Sequence, residues 1–444
     1  MKDEYSSKIS VKDRLILFSI FVIISVLIYL SSLVSIKLLV SMIILIIFLY
    51  TIVLLFIVNL FYKSEHKNYK FPKTPPSVAV VTYAYNNFKG IESQIDILLK
   101  LDYPIPYNVY LINDGTFEHL KNKKGLKLIN IDKKYFKSGN IKAQIMNIGF
   151  KKLKEENILC MDGDTIPQKD VLMKMTPLLE GNTKAVIGCI LPSNRNNLIE
   201  KLQVYEYILN FGLWARGLSL MNSMFVVVGA LNLIKREAFL EVGGFDIYNI
   251  VEDEDLAFKF HERGYNIKHT IDARAETDVP STFSKFKRQR IRWYRGAFYT
   301  WLKYKRFWFN SKLNAFGTFF LPYFLFVNIV GIALFLKYII VNIRQQLTYI
   351  YYYLVELIVS KSFYIHFSLP SLNNLYFPPT LLFWLVSMSI TLLFLIFSLN
   401  FLDYKLKFKE LPVFLIFVMF FGLAIVLMYL ESLVLEFLGI SYKW

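Results

Sequence analysis

Two near-continuous apolar runs, Leu15 to Val34 and Leu38 to Phe61, constrain this chain before anything else does. A bilayer core about 30 Å thick is crossed by roughly 20 residues of helix, and each run meets that length. No small-residue cleavage site separates them, so both are expected to persist as a helical hairpin rather than be removed as a signal peptide. Further spans are expected at Phe316 to Val341, Thr380 to Phe401 and Leu411 to about Leu430. Tyr349 to Phe367 is aromatic but interrupted by Glu356, Lys361 and His366, which suits an interfacial or re-entrant segment. The expected organisation is a transmembrane hairpin over 1–69, a globular domain over 70–312 and a membrane region over 313–444.

Charge orients these spans. Lys2, Lys8, Lys12 and Arg14 precede the first, Lys63, Lys67, Lys70 and Lys73 follow the second, and only Lys37 lies between. Positive loops stay in the cytoplasm, so the globular domain is expected there, anchored in the cell membrane. Lys405, Lys407 and Lys409 fall on the same side after five spans. With 55% hydrophobic and 17% aromatic residues the chain is not an ordinary soluble protein, and its net charge of +17 points to lipid and phosphate as partners. Nucleic acid is not expected, because the basic and aromatic stretch that could bind it directly precedes a span. Cys160 and Cys189 sit in apolar runs as reduced core residues, and the histidines show no zinc-ligand spacing.

In the globular middle, apolar runs of strand length alternate with helix-length segments: Val78 to Val81, Val109 to Ile112, Leu126 to Ile129, Ile158 to Met161 and Ala185 to Ile190. This predicts an α/β domain on a largely parallel sheet, whose ligands bind beyond the carboxyl ends of strands. Three ends carry polar residues: Thr82, Tyr85 and Asn86; Asn113-Asp114-Gly115-Thr116; and Asp162-Gly163-Asp164-Thr165. Asp114-Gly115 alone also reads as turn chemistry. Asp162 and Asp164, separated by a glycine, can both approach one hard cation, Mg2+ or Mn2+, that bridges to a diphosphate. No glycine-rich phosphate loop is present, so Lys142 and Arg292 are the cationic candidates for the phosphates.

Glu252-Asp253-Glu254-Asp255 places four carboxylates at a helix start. The helix dipole favours acids there, but one of them beside a bound diphosphate could act as general base toward an acceptor hydroxyl. Gln289, Arg292 and Trp293 share a helical face in Gln289-Arg290-Ile291-Arg292-Trp293, where Arg can grip phosphate and Trp can stack on a sugar. An amphipathic interfacial helix is the other reading of that stretch.

Taken in order, these pieces resemble a family 2 glycosyltransferase of the membrane-integrated branch that makes hyaluronan, chitin oligosaccharides, poly-N-acetylglucosamine and cellulose. The resemblance covers Ser77 to Gly296. Tyr83 stands where proline is usual, Asn87 and Asn113 where acids are usual, and Ile141 where a glycine is usual. The resemblance implies a GT-A fold, a Rossmann-like, mostly parallel sheet inserted between transmembrane helices, and a single inverting displacement. It further implies that Asp114 binds the base, that Thr82, Tyr85, Asn86, Lys142, Asp162, Gln289 and Arg292 hold the nucleotide sugar, and that Asp164 with Asp162 holds the metal. Asp253 falls on the general base, and Glu252, Trp293 and Gly229 fall on the acceptor side. A polysaccharide extruded through the membrane helices is the expected product; single transfer to a membrane lipid is the alternative, and a transporter with an inactive enzyme-like domain is the reading from another class.

Overall fold

In the computed structural model, described over residues 4–5, 69–84, 90–113, 116–360 and 379–443, the chain divides into two compact units. One gathers Met1–Arg14, Val53–Pro322 and Leu392–Trp444; the other gathers Leu15–Ile52 and Tyr323–Thr391. The expected hairpin at 15–34 and 38–61 lies outside the described residues.

The first unit is built on a sheet of eight strands: β1 Val78–Ala84, β2 Asn108–Asn113, β3 Leu126–Asn130, β4 Asn157–Met161, β5 Ile166–Pro167, β6 Thr183–Pro192, β7 Asn232–Lys235 and β8 Asn266–Thr277. Their order is β3-β2-β1-β4-β7-β6-β8-β5. Strand β1 is rich in valine and buried on both faces, as a central parallel strand must be. It runs parallel to β2, pairing Val80 with Val109, and to β4, pairing Val80 with Leu159. Beyond β4 the directions are mixed: β7 is antiparallel to β4 and β6, β8 is parallel to β6, and β5 is antiparallel to β8. The sheet is therefore mixed: β1 to β4 and the pair β6 and β8 are parallel, and β7 and β5 run against their neighbours. These two reversed strands, four and two residues long, are too short to stand out as apolar runs.

Helices flank the sheet: α1 Ile91–Leu98, α2 Ile141–Lys152, α3 Leu198–Leu209, α4 Glu252–Glu262 and α5 Phe283–Lys303. Asn197 and Glu200 close a reciprocal capping box on α3. The same end of α3 is tied to the segment entering α5: Asn194 Nδ2 donates to Val279 O at 2.8 Å, Asn197 Nδ2 to Ser281 O at 2.9 Å and Gln203 Nε2 to Pro280 O at 2.8 Å. Later in the unit, Gly422–Phe437 packs along α5 through Tyr294 against Tyr429 and through the ion pair of Arg295 with Glu436. Both members of that pair are buried, and removing one alone would cost about 3–5 kcal/mol by leaving an uncompensated charge.

Among the described residues one helical stretch, Phe408–Phe437, is long and apolar enough to cross a membrane. It contains the span expected at 411–430. The described part of the second unit comes from two further helices, α6 Leu321–Ser360 and α7 Pro379–Phe401. Residues 349–360 continue α6 without a break, and 361–367 lie outside the described residues.

Gly296 sets how closely α5 approaches α4. A Cβ at this position would fall 2.3 Å from Val251 Cγ2, just before the acidic helix. Gly296→Ala is expected to force the helices apart at a cost of about 1–3 kcal/mol. For a domain of about 150–250 residues that lowers the melting midpoint by roughly 2–4 °C per kcal/mol. Gly422→Ala, where an added Cβ meets nothing within 4 Å, should not lower it. Equal midpoints for the two variants would contradict the close approach.

Candidate active site

The carboxyl ends of β1 and β4 and the amino ends of α2 and α4 meet at one cleft. Gly139, at φ 130°, turns the chain into α2 where a Cβ would lie 2.3 Å from Ile247 O, so only glycine fits. Asn140 then caps α2 by accepting from Ala143 N at 3.1 Å. Its Nδ2 donates to Asn249 O at 2.9 Å and to Glu252 Oε2 at 2.7 Å, which ties the start of α2 to the start of α4. Asn147, two turns further on, accepts from Phe245 N at 2.8 Å and donates to Phe245 O at 2.9 Å, fixing the turn that leads into α4.

Lys142 sits at the centre. Its Nζ is 3.0 Å from Asp162 Oδ1 and 3.1 Å from Glu252 Oε1, and lies 5.0 Å from the centre of the Tyr83 ring. Tyr83 donates to the same Asp162 oxygen at 2.7 Å. Burial alone would raise the Asp162 carboxyl, but Lys142 and the hydrogen bonds from Tyr83 and Lys142 hold it below the usual carboxylate range. Burial likewise opposes the charge on Lys142, and the surrounding Asp162, Tyr83, Glu252 and Asp253 keep its ammonium protonated well above the ordinary range. A Cβ on Gly229 would come within 2.8 Å of Lys142 Nζ, so that glycine borders the same pair.

Asp164 is in a different state. Burial and then the charge of Asp162 push it up to about 6, partly opposed by the hydrogen bond that Thr277 Oγ1 donates at 3.1 Å. Two carboxylates across a glycine, one destabilised by the other, are a donor set that a hard divalent cation relieves. Among the described residues no group of three or more His, Cys, Asp and Glu side chains converges.

The four acids of α4 have separate partners. Glu252 meets Lys142 and Asn140; Glu254 accepts from Trp301 Nε1 at 2.8 Å; Asp255 meets Lys259 at 3.2 Å and Lys303 at 2.5 Å. Asp253 instead accepts from the backbone N–H of Glu254 at 3.0 Å. Burial, then the charge of Glu252, pushes Asp253 up to about 6, with Lys142 and Arg292 pulling the other way. It is thus a carboxylate near neutral pH with a proton affinity suited to accepting a proton.

Helix α5 carries Gln289, Arg292 and Trp293, and of these Arg292 is near enough to act on Asp162 and Asp253. Arg292 Nη1 reaches Ile250 O at 3.5 Å, immediately before α4, and Gln289 Oε1 is buried. The guanidinium of Arg290 lies 4.0 Å from the centre of the Trp293 ring. Thr82 is fully buried beneath the cleft: its hydroxyl donates to Gln94 Oε1 at 2.8 Å, and Gln94 Nε2 donates to Asp162 O at 2.6 Å and Thr165 O at 2.7 Å. Thr82 therefore supports the Asp162-Gly163-Asp164 turn from below, through Gln94. Tyr85, Asn86 and Asp114 lie outside the described residues. Sequence reasoning did not assign Gln94, Asn140, Thr277 or Arg290 to the site; of these only Asn140, a polar residue directly before an amphipathic helix, carried a local signal.

Residues 157–430 match the family model described as Glycosyl transferase family group 2. A poly-beta-1,6-N-acetyl-D-glucosamine synthase of Staphylococcus aureus (strain COL) is 28% identical over 268 residues, covering 56% of this chain and 64% of that protein. A protein of the same name from Staphylococcus epidermidis is 26% identical over 290 residues, covering 63% of this chain and 67% of that one. The chain thus matches 64% of the length of the S. aureus relative, just under two thirds. Among solved structures, a mannosyltransferase from Pyrobaculum calidifontis in complex with GDP-Man and Mn2+ superposes with a TM-score of 0.45 at 18% identity, over 80% of this chain and 99% of that one.

Proposed function

The chain belongs to Glycosyl transferase family group 2, and from that premise we propose that it is an inverting, metal-dependent membrane glycosyltransferase of GT-A type that builds a polysaccharide from a UDP-sugar. The observation that carries this reading is the Lys142 bridge between Asp162 and Glu252. It brings the donor-side acids and the acceptor-side acids to one cleft, with Asp253 directly after Glu252.

In the proposed reaction the acceptor hydroxyl oxygen forms a bond to the anomeric carbon while the bond from that carbon to the diphosphate oxygen breaks. Asp253 takes the hydroxyl proton, and the nucleoside diphosphate leaves. A cation held by Asp162 and Asp164 would supply positive charge to the departing diphosphate. Lys142 and Arg292 add fixed positive charge on the donor side, Asp114 reads the base with Tyr85 and Asn86, and Gln289 orients the donor. Trp293 and Gly229 border the acceptor, with the Trp face stacking on its terminal sugar. The apolar helix packed on α5 supports placing this chemistry at a membrane; the lysine-rich flanks of the expected spans support a cytoplasmic catalytic unit, and the proposed product leaves through the chain's own helices. The similarity to poly-beta-1,6-N-acetyl-D-glucosamine synthases makes N-acetylglucosamine the first sugar to test.

Purified protein in detergent, given a panel of radiolabelled UDP-sugars and Mg2+ or Mn2+, should make a ladder of long products from one of them. A single sugar on a lipid, with no polymer, would replace this reading with that of a glycolipid-forming enzyme. Because Asp253 is raised to about 6, transfer should climb as pH rises through about 6 and the base loses its proton. A rate that is flat from pH 5 to 8 would remove Asp253 from the role of base.

A further inference from the structure

We propose that the buried ion pair between Glu206 and Arg290 is the positioning device for Trp293, setting the ring on which the acceptor sugar stacks. The inference rests on the acceptor role of Trp293 proposed above and adds residues outside the assigned site.

Arg290 is almost fully buried, at 1% exposure, although it belongs to an amphipathic helix with exposed lysines and arginines. Its guanidinium lies 4.0 Å from the ring centre of Trp293, one turn ahead on α5, and 4.8 Å from that of Phe286, one turn behind. Nη2 pairs with Glu206 near the end of α3. Nε and Nη1 have no hydrogen-bond partner among the described residues, which leaves the two aromatic faces as the surfaces the cation leans on. Glu206 is itself held in place, because the three hydrogen bonds from Asn194, Asn197 and Gln203 lock the start of α3 to the segment entering α5. The chain of control runs from α3 through Glu206 to the guanidinium plane, and from that plane to the indole.

A pair that merely fastened two helices would need opposite charges and nothing more. Setting a ring needs a flat cation fixed at one end. Lysine can satisfy the first requirement and not the second, since its ammonium is a point charge on a flexible stem. That difference makes the proposal testable.

The experiment uses the full chain in detergent, with UDP-N-acetylglucosamine as donor and a β-1,6-linked N-acetylglucosamine tetrasaccharide as acceptor. Trp293→Ala, Arg290→Lys, Glu206→Gln and the charge swap Glu206→Arg with Arg290→Glu are compared, with melting midpoints recorded for each. Arg290→Lys and Glu206→Gln are expected to raise the acceptor KM by about tenfold or more, as loss of substrate positioning does, with the donor KM held within about twofold. The swap should recover the melting midpoint and leave the acceptor KM high, because a glutamate cannot stack on the indole. If Trp293→Ala raises the acceptor KM but Arg290→Lys does not, or if the swap restores it, the pair is only a fastener and the proposal is overturned. If Trp293→Ala leaves the acceptor KM unchanged, the acceptor role of Trp293 falls and this inference falls with it.

Discussion

Asp253→Asn is expected to lower sugar transfer by about 10²- to 10⁴-fold, the usual contribution of a positioned general base, while metal-dependent UDP binding stays close to wild type. Asparagine keeps the shape and the hydrogen bond from Glu254 N but cannot take a proton. The neighbouring acids do not stand in for it. Glu254 is held by Trp301, Asp255 by Lys303 and Lys259, and Glu252 by Asn140 and Lys142. Removing Asp253 also removes one negative charge beside Lys142 and Arg292, which favours a bound diphosphate if it has any effect. Calorimetry of UDP binding with Mn2+, set beside turnover of the same preparation, separates the two steps. Loss of UDP binding in Asp253→Asn would mean that this carboxylate belongs to the donor.

Asp164→Asn is expected to do the reverse. Its carboxylate is pushed up to about 6 by burial and by Asp162, so it holds its negative charge at a cost that a cation would offset. The amide keeps the hydrogen bond with Thr277 within reach but loses the charge. Metal-dependent affinity for UDP should fall by at least about tenfold, since losing even an outer-shell partner of a metal site costs 10- to 100-fold. The deficit should narrow as Mn2+ is raised to millimolar levels. An unchanged metal dependence, with transfer alone impaired, would contradict the assignment of this acid to the metal.

The parts of the fold that the sequence announces are those where one segment decides its own structure. All five apolar runs proposed as strands lie within observed strands; β1, β4 and β6 at the centre of the sheet are apolar because both of their faces are buried, while β3 at the edge exposes Lys127. Helices α4 and α5 were legible for the same reason: clustered acids mark one start, and Gln289, Arg292 and Trp293 repeat at helical spacing in the other. Strand β8 has no continuous apolar run, and a search for such runs passes over it. Its later residues, with Ile271, Ala273 and Ala275 buried between polar neighbours, alternate as a strand with one polar face does, and its pairing with β6 and β5 appears only in the structure.

Within the site, the spacing of Asp162 and Asp164 and the presence of Asp253 are local facts, readable without a structure. Who partners whom is not local. Tyr83 reaches Asp162 across 79 residues, Arg290 reaches Glu206 across 84, and Asn140 reaches Glu252 across 112. No window of sequence contains both members of any of these pairs. The alternation along β1 likewise turns Thr82 inward to Gln94, while Tyr83 reaches Asp162 in the cleft.

The central claim is that one cleft both binds a nucleotide sugar and passes its sugar to an acceptor. The most direct measurement is release of free UDP by the purified full-length protein, followed as each UDP-sugar is added with Mn2+ and an acceptor. One donor should release UDP in step with sugar incorporated, with the signal lost on chelation and in Asp253→Asn. Absence of UDP release from every UDP-sugar tested, or release that Asp253→Asn leaves intact, would contradict it.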